Sequence, residues 1–292
     1  GGGAAAERTD DQYANTILLI LGDGNPGANN LNNPAPEAQY LAISDDGPND
    51  QQLQIEGTNV HGTNFSPWYY SDGFWSVEYD GTDDYLQIDS SSDFVLGTGD
   101  FSIEFFVYFR DNGTAAFYCI ENNGALFFYD GSKFTLGVRG SGTTYLNYTV
   151  TPTLNTWHHL ALCRDGTGSN ETCLFYNGTR VVQATVSYDF SQQNILQIGS
   201  IGGLSGYDLN GYLSNFRVVK GSSAYATSSS SITVPTSPLR TITNTKLLAL
   251  QSNRFIDNSS GKHDLNTQSG TPRVSVFTPF PNLVSDTSNT QI

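Results

Sequence analysis

The chain has 292 residues, and its 28 acidic and 13 basic side chains leave a net charge of −15. Such a surface repels a polyanion, and no basic stripe gathers phosphates, so nucleic acid is excluded as a partner. No apolar run reaches the roughly 18 residues of a membrane span, so no membrane insertion is expected.

Thirty glycines and 12% aromatic residues against 14% charged ones suit short strands joined by turns, with enough large rings for a core. Apolar residues at a 3.6-residue period are missing, so almost no helix is expected. Methionine is absent, which reads as a processed product or a part of a longer polypeptide. Residues 1–14 open on Gly-Gly-Gly-Ala-Ala-Ala and are taken as a linker.

Residues 15–70 form the first of two flanking β repeats. Asn15-Thr-Ile-Leu-Leu-Ile-Leu21 matches Asn244-Thr-Lys-Leu-Leu-Ala-Leu250 at five of seven positions, and Phe65-Ser-Pro-Trp68 echoes Phe277-Thr-Pro-Phe280. Adjacent leucines cannot share one face of a strand, so both faces of each copy need cover. The two copies are therefore expected to pair in a small β-module of their own that docks to neighbouring subunits. Deleting residues 240–292 is then expected to leave the central domain folded.

Residues 71–225 read as strand after strand. In the run from Phe101 to Phe109, Phe101, Ile103, Phe105, Val107 and Phe109 share one face, and Ser102, Glu104, Phe106 and Tyr108 share the other. Both faces carry large side chains that need cover, as expected in a sandwich. Asn177-Gly178 supplies a type I′ hairpin turn. A dozen short strands at this spacing argue for an antiparallel β-sandwich with Trp75, Phe105, Val107, Trp157, Leu160 and Phe216 in its core. Residues 226–239, rich in Ser, Thr and Pro, read as a linker. Residues 240–281 are the second repeat and 282–292 a tail.

The central stretch resembles the laminin-G-like, concanavalin-A-like jelly-roll domains. Four segments carry the likeness: Tyr79-Asp-Gly-Thr-Asp-Asp-Tyr-Leu86; Gly97-Thr-Gly-Asp-Phe-Ser-Ile-Glu-Phe105; Asn155-Thr-Trp-His-His-Leu-Ala161 with Leu174-Phe-Tyr-Asn-Gly178; and Ile198-Gly-Ser200 with the run from Leu209 to Val218. The resemblance implies the fold and leaves the activity open, because this fold hosts many functions. The Leu-Leu strand, the Asp257-Asn-Ser-Ser260 turn, the Phe-Thr-Pro-Phe exit and Lys220-Gly-Ser-Ser-Ala-Tyr225 look like virion structural proteins of tailed phages from aquatic bacteria. That likeness implies a decoration, knob or fibre module on the virion exterior, partnered by other virion or self subunits and by a host-surface glycan. The alternative is a secreted, extracellular carbohydrate-binding adhesin, which six Asn-x-Ser/Thr triplets keep open.

Candidate sites follow from chemistry. A glycosidase needs two facing carboxylates, whereas Glu104 is solitary in its strand and read as locally bonded, so no enzyme is expected. Asp80, Asp83 and Asp84 lie in one turn, as a hard cation requires, which makes calcium the candidate cofactor. In related domains a second Asp often precedes the last strand; here Ser214-Asn215 stands there. His158 and His159 point to opposite faces and cannot form a joint zinc site. Trp68, Tyr69 and Tyr70 cannot all face one core, and with Tyr207 and Asp208 they are the candidate carbohydrate-binding residues. Cys163 and Cys173 flank a hairpin loop, and the sequence leaves a disulfide between them open.

Overall fold

A computed structural model describes residues 73–202 and 204–280. The first repeat, with Trp68, Tyr69 and Tyr70, lies outside the described residues, as does the tail. The chain is all-β, and its described helical structure is one 3-10 turn, Ser92–Phe94.

Fifteen strands follow in chain order: β1 Ser76–Asp80, β2 Tyr85–Ile88, β3 Phe101–Phe109, β4 Ala115–Ile120, β5 Ala125–Tyr129, β6 Lys133–Val138, β7 Thr144–Thr149, β8 Trp157–Arg164, β9 Thr172–Tyr176, β10 Thr179–Ala184, β11 Leu196–Ile198, β12 Asn210–Lys220, β13 Thr245–Ala249, β14 Asn266–Ser269 and β15 Arg273–Ser275. They build two antiparallel sheets. One runs β10-β9-β8-β3-β12-β1-β15, with β13 also on β12; the other runs β14-β2-β11-β4-β5-β6-β7. The expected sandwich is the observed one.

The core between the sheets follows from strand alternation. Phe101, Ile103, Phe105, Val107 and Phe109 of β3 all point inward, each at most 1% exposed; such a side chain contributes about 1.5–3 kcal/mol by leaving water. Phe105 stacks on Phe216 of its own sheet at 5.2 Å and meets Phe117 of the other at 5.0 Å. Trp75, Val107, Leu160 and Phe216 are buried as expected. Trp157 corrects the expected core: it is half-buried, and its ring packs on the sheet's outer face against Tyr108 and Phe277. Alternation gives a strand two faces without saying which one is inside.

Residues 226–239 are not a free linker. They form a strap over the outer face of the larger sheet. Ile232 donates its N–H to the Gly178 carbonyl, and Arg180 donates to the carbonyls of Thr227 and Ser229. Beneath it, Ala161, Cys163, Cys173 and Phe175 pack against Tyr225 and Ile232. The hairpin turn at Asn177-Gly178 has φ of +48° and +83°, the type I′ signature. A side chain at Gly178 would meet the Ile232 oxygen at 2.8 Å, so the turn and the strap both require glycine.

The second repeat belongs to the sandwich and forms no module of its own. On its side opposite β3, β12 pairs first with β1 and then with β13. Asn215, at φ +54°, marks the break between the two, where the register against β3 also shifts. The other strands of the repeat pair outward to β2 and β1, so one repeat feeds both sheets. Leu247, Leu248 and Leu250 are buried, as adjacent leucines demand. Their cover comes from within the domain, and a sandwich ending at residue 220 would lack three of its strands.

Asp257 finishes the outer edge of β13. It accepts the Leu248 N–H at 3.0 Å, the Ser259 N–H at 2.8 Å and the His263 N–H at 3.0 Å, while Asn258 N–H donates to the Leu248 carbonyl at 2.7 Å. A buried carboxylate thus occupies bonds that another strand would otherwise take.

Candidate functional site

The Asp80, Asp83 and Asp84 carboxylates come together, each offering an oxygen within 4.8 Å of the others. Turn chemistry accounts for the grouping. Asp84 accepts the Asp80 N–H at 2.9 Å and the Thr271 N–H at 2.5 Å, Asp80 accepts the Thr82 N–H, and Asp83 accepts the Ser269 hydroxyl. Burial raises the Asp84 carboxyl above its ordinary range, against those two backbone bonds. At the second position the Asn215 side chain is spent on Gly73, Ser214 and Leu239.

Glu104 lies in a buried ionic network that the sequence did not reveal. It is fully buried on the outer face of β3, receives the His159 Nε2 at 3.0 Å and bonds Arg217 and the Tyr225 hydroxyl. Arg217 also donates to the Arg240 carbonyl at 2.8 Å, so Tyr225 and Arg240, the residues that flank the strap, both meet the network. Burial alone would raise the Glu104 carboxyl, but the His159 hydrogen bond and the Arg217 charge outweigh it and hold the group below its ordinary range. An anion so held is a poor proton donor, the opposite of the raised carboxyl that a glycosidase acid requires.

His158, on the other face, bonds the Thr153 carbonyl and the Tyr176 hydroxyl, and burial lowers its pKa. The neighbouring histidines serve two separate environments.

Cys163 and Cys173 stand directly opposite each other in the β8–β9 register, yet both are free, buried thiols. The bridge is not formed. Burial pushes the Cys163 thiol up to about 12, and a thiol kept protonated is a weak nucleophile for disulfide exchange.

Tyr207 and Asp208 lie in the loop that crosses the outer face of the smaller sheet. Asp208 shapes the loop by accepting the Ser200 hydroxyl at 2.6 Å and the Gly206 N–H at 3.2 Å, so both carboxylate oxygens are engaged. Tyr207 is half-buried 5.9 Å from the half-buried Phe128 ring, and Ala116, Cys119, Leu126 and Ile201 lie beneath the pair. Leu204, in the same loop, is 47% exposed. Phe128 was missed because alternation along β5 alone does not show that the loop leaves it partly open.

A second aromatic group occupies the outer face of the larger sheet. Tyr108, Trp157, Tyr212 and Phe277 lie with ring centroids 4.8–6.2 Å apart. The Arg110 guanidinium sits 4.7 Å above the Tyr212 ring and bonds Glu78. Phe277 is the outermost ring, 40% exposed. Among the described residues no helix is long and apolar enough to cross a membrane.

A family profile described as the concanavalin A-like lectin/glucanases superfamily matches residues 80–224. No curated protein matches the chain. Similar solved structures include a putative carbohydrate-binding protein from Bacteroides ovatus, 16% identical over 70% of this chain and 60% of that one, with a TM-score of 0.47. A native heptameric SAP-like pentraxin from Limulus polyphemus is 13% identical over 52% of this chain and 77% of that one, with a TM-score of 0.39. Domains LG4-5 of the mouse laminin alpha1 chain are 12% identical over 52% of this chain and 44% of that one, also at 0.39.

Proposed function

We propose that the protein is a non-enzymatic surface module of a virion that engages host-surface glycans, built on the concanavalin A-like fold whose profile residues 80–224 match. The observation that carries the glycan reading is the partly open Phe128–Tyr207 pair. The two partly open rings, one on β5 and one on the loop above it, are tilted 57° to each other and give an apolar surface of the kind a sugar's C–H face covers. The non-enzymatic reading rests on Glu104, whose charge is neutralised and buried away from any substrate. Display on a capsid, tail knob or fibre is supported by the phage-like sequence features that run from Lys220 to Phe280. Other copies or virion subunits are the partners this placement requires.

Binding of the purified full chain to a panel of surface polysaccharides tests the reading. Saturable binding that Tyr207→Ala weakens about tenfold, with the melting temperature unchanged, is the expected result. Binding indifferent to Tyr207 removes this platform from the proposal, and turnover of any bound polysaccharide removes the non-enzymatic role. Labelled antibody against the chain, imaged on intact particles, separates the virion module from a secreted adhesin.

A further inference from the structure

A cleft of about 570 Å³ opens between the start of β13 and the turn that follows Asp257. Its lining includes Asn244, Lys246, Asn258, Ser260 and Lys262, with Ile242 as an apolar element 42% exposed. The chain has only four lysines, and two of them line this one cleft. In a protein of net charge −15 the lining carries no carboxylate.

The two lysines are not equivalent. Lys246 is held 3.1 Å from Asp93, which His263 also approaches. Lys262 is exposed and forms no ion pair among the described residues, so its charge remains available. Its backbone sits at φ +50°, an uncommon conformation for a residue with a side chain. The bonds of the buried Asp257 to Ser259 and His263, on either side of Lys262, fix the turn that presents it.

The neutral groups complete the chemistry. Asn244 and Asn258 donate their NH2 groups to the hydroxyls of Ser222 and Ser252. Among the described residues that leaves the two amide oxygens to accept from incoming hydroxyls, and the exposed Ser260 hydroxyl can donate or accept. At physiological salt the screening length is about 8 Å, so a small ligand senses the nearby lysine more than the distant excess of carboxylates.

We infer that this cleft binds a saccharide bearing a carboxylate, of the uronic or sialic type. The carboxylate pairs with Lys262, the hydroxyls meet Asn244 and Asn258, and the C–H face lies on Ile242. The inference rests on the reading of the module as glycan-binding, but it concerns a site separate from Tyr207.

Calorimetry on the full chain tests it, with oligogalacturonate and sialyllactose as probes and their methyl esters as neutral controls. At least one acid should bind about tenfold more tightly than its ester. Lys262→Gln should remove that preference, Lys262→Arg should keep it, and Tyr207→Ala should leave it in place. Equal binding of acid and ester, an unchanged preference in Lys262→Gln, or full competition by acetate would overturn the inference. Neutral glycan binding that Tyr207→Ala abolishes and Lys262→Gln spares overturns the cleft alone. Binding of no glycan at all overturns both readings.

Discussion

The two faces of β3 solve burial by different means. The inward face carries five apolar side chains, and packing against the opposite sheet is sufficient for it. The outward face carries Ser102, Glu104 and Phe106, which are as thoroughly buried. A carboxylate there is stable because Arg217, His159 and the Tyr225 hydroxyl meet it. The inward face tolerates any apolar set of the right volume. The outward face depends on named partners, and losing one leaves another charged and dry.

The largest expected effect comes from removing residues 240–292, which strips β13 from one side and Phe277 and Phe280 from the other. The truncated chain is expected to lose its cooperative thermal transition in circular dichroism; a normal melt would show that the sandwich ends before the repeat. Phe105→Ala, on the inward face, should cost about 4 kcal/mol in denaturant titration, the usual range for a large core cavity.

Glu104→Gln, on the outward face, should cost about 3 kcal/mol by leaving Arg217 buried without its anion. Adding Arg217→Met should restore much of the loss, and failure of the double variant to recover would refute the pairwise account. The pH dependence has a definite sign. The folded pKa of Glu104 lies below its unfolded value, so its stabilisation is present above about pH 4.3 and declines as pH falls through the folded value. Glu104→Gln should flatten the acid limb of the stability profile.

Phe277→Ala should cost about 1 kcal/mol, since the ring is partly open and mainly contributes edge-to-face contacts. Calcium should act least. With Asp84 engaged by two backbone N–H groups, adding calcium or a chelator is expected to leave the melting temperature unchanged.

The inward face was readable from sequence because alternation is a local property: the run from Phe101 to Phe109 states its own pattern. The I′ turn at Asn177-Gly178 and the need of Leu247 and Leu248 for two covered faces were equally local. The outward face was not readable, because the partners of Glu104 lie 55, 113 and 121 residues away. The strap was hidden for another reason. It docks through backbone groups at Ser230 and Ile232, so its Ser/Thr/Pro composition looks the same as that of a free linker. Of the candidate site, Tyr207 was visible as an aromatic in a polar loop, whereas the cleft of Lys246 and Lys262 is lined by two segments of the second repeat that only the fold brings together.

The carboxylate of Asp257 also sets a limit on growth. An edge strand with free N–H and C=O groups is an invitation to the next molecule, and crowded copies would accept it. By occupying the Leu248 N–H, with Asn258 on the Leu248 carbonyl and Ser259 on that of Lys246, one turn makes β13 a terminus and not a template. Copies held side by side then cannot extend the larger sheet through β13.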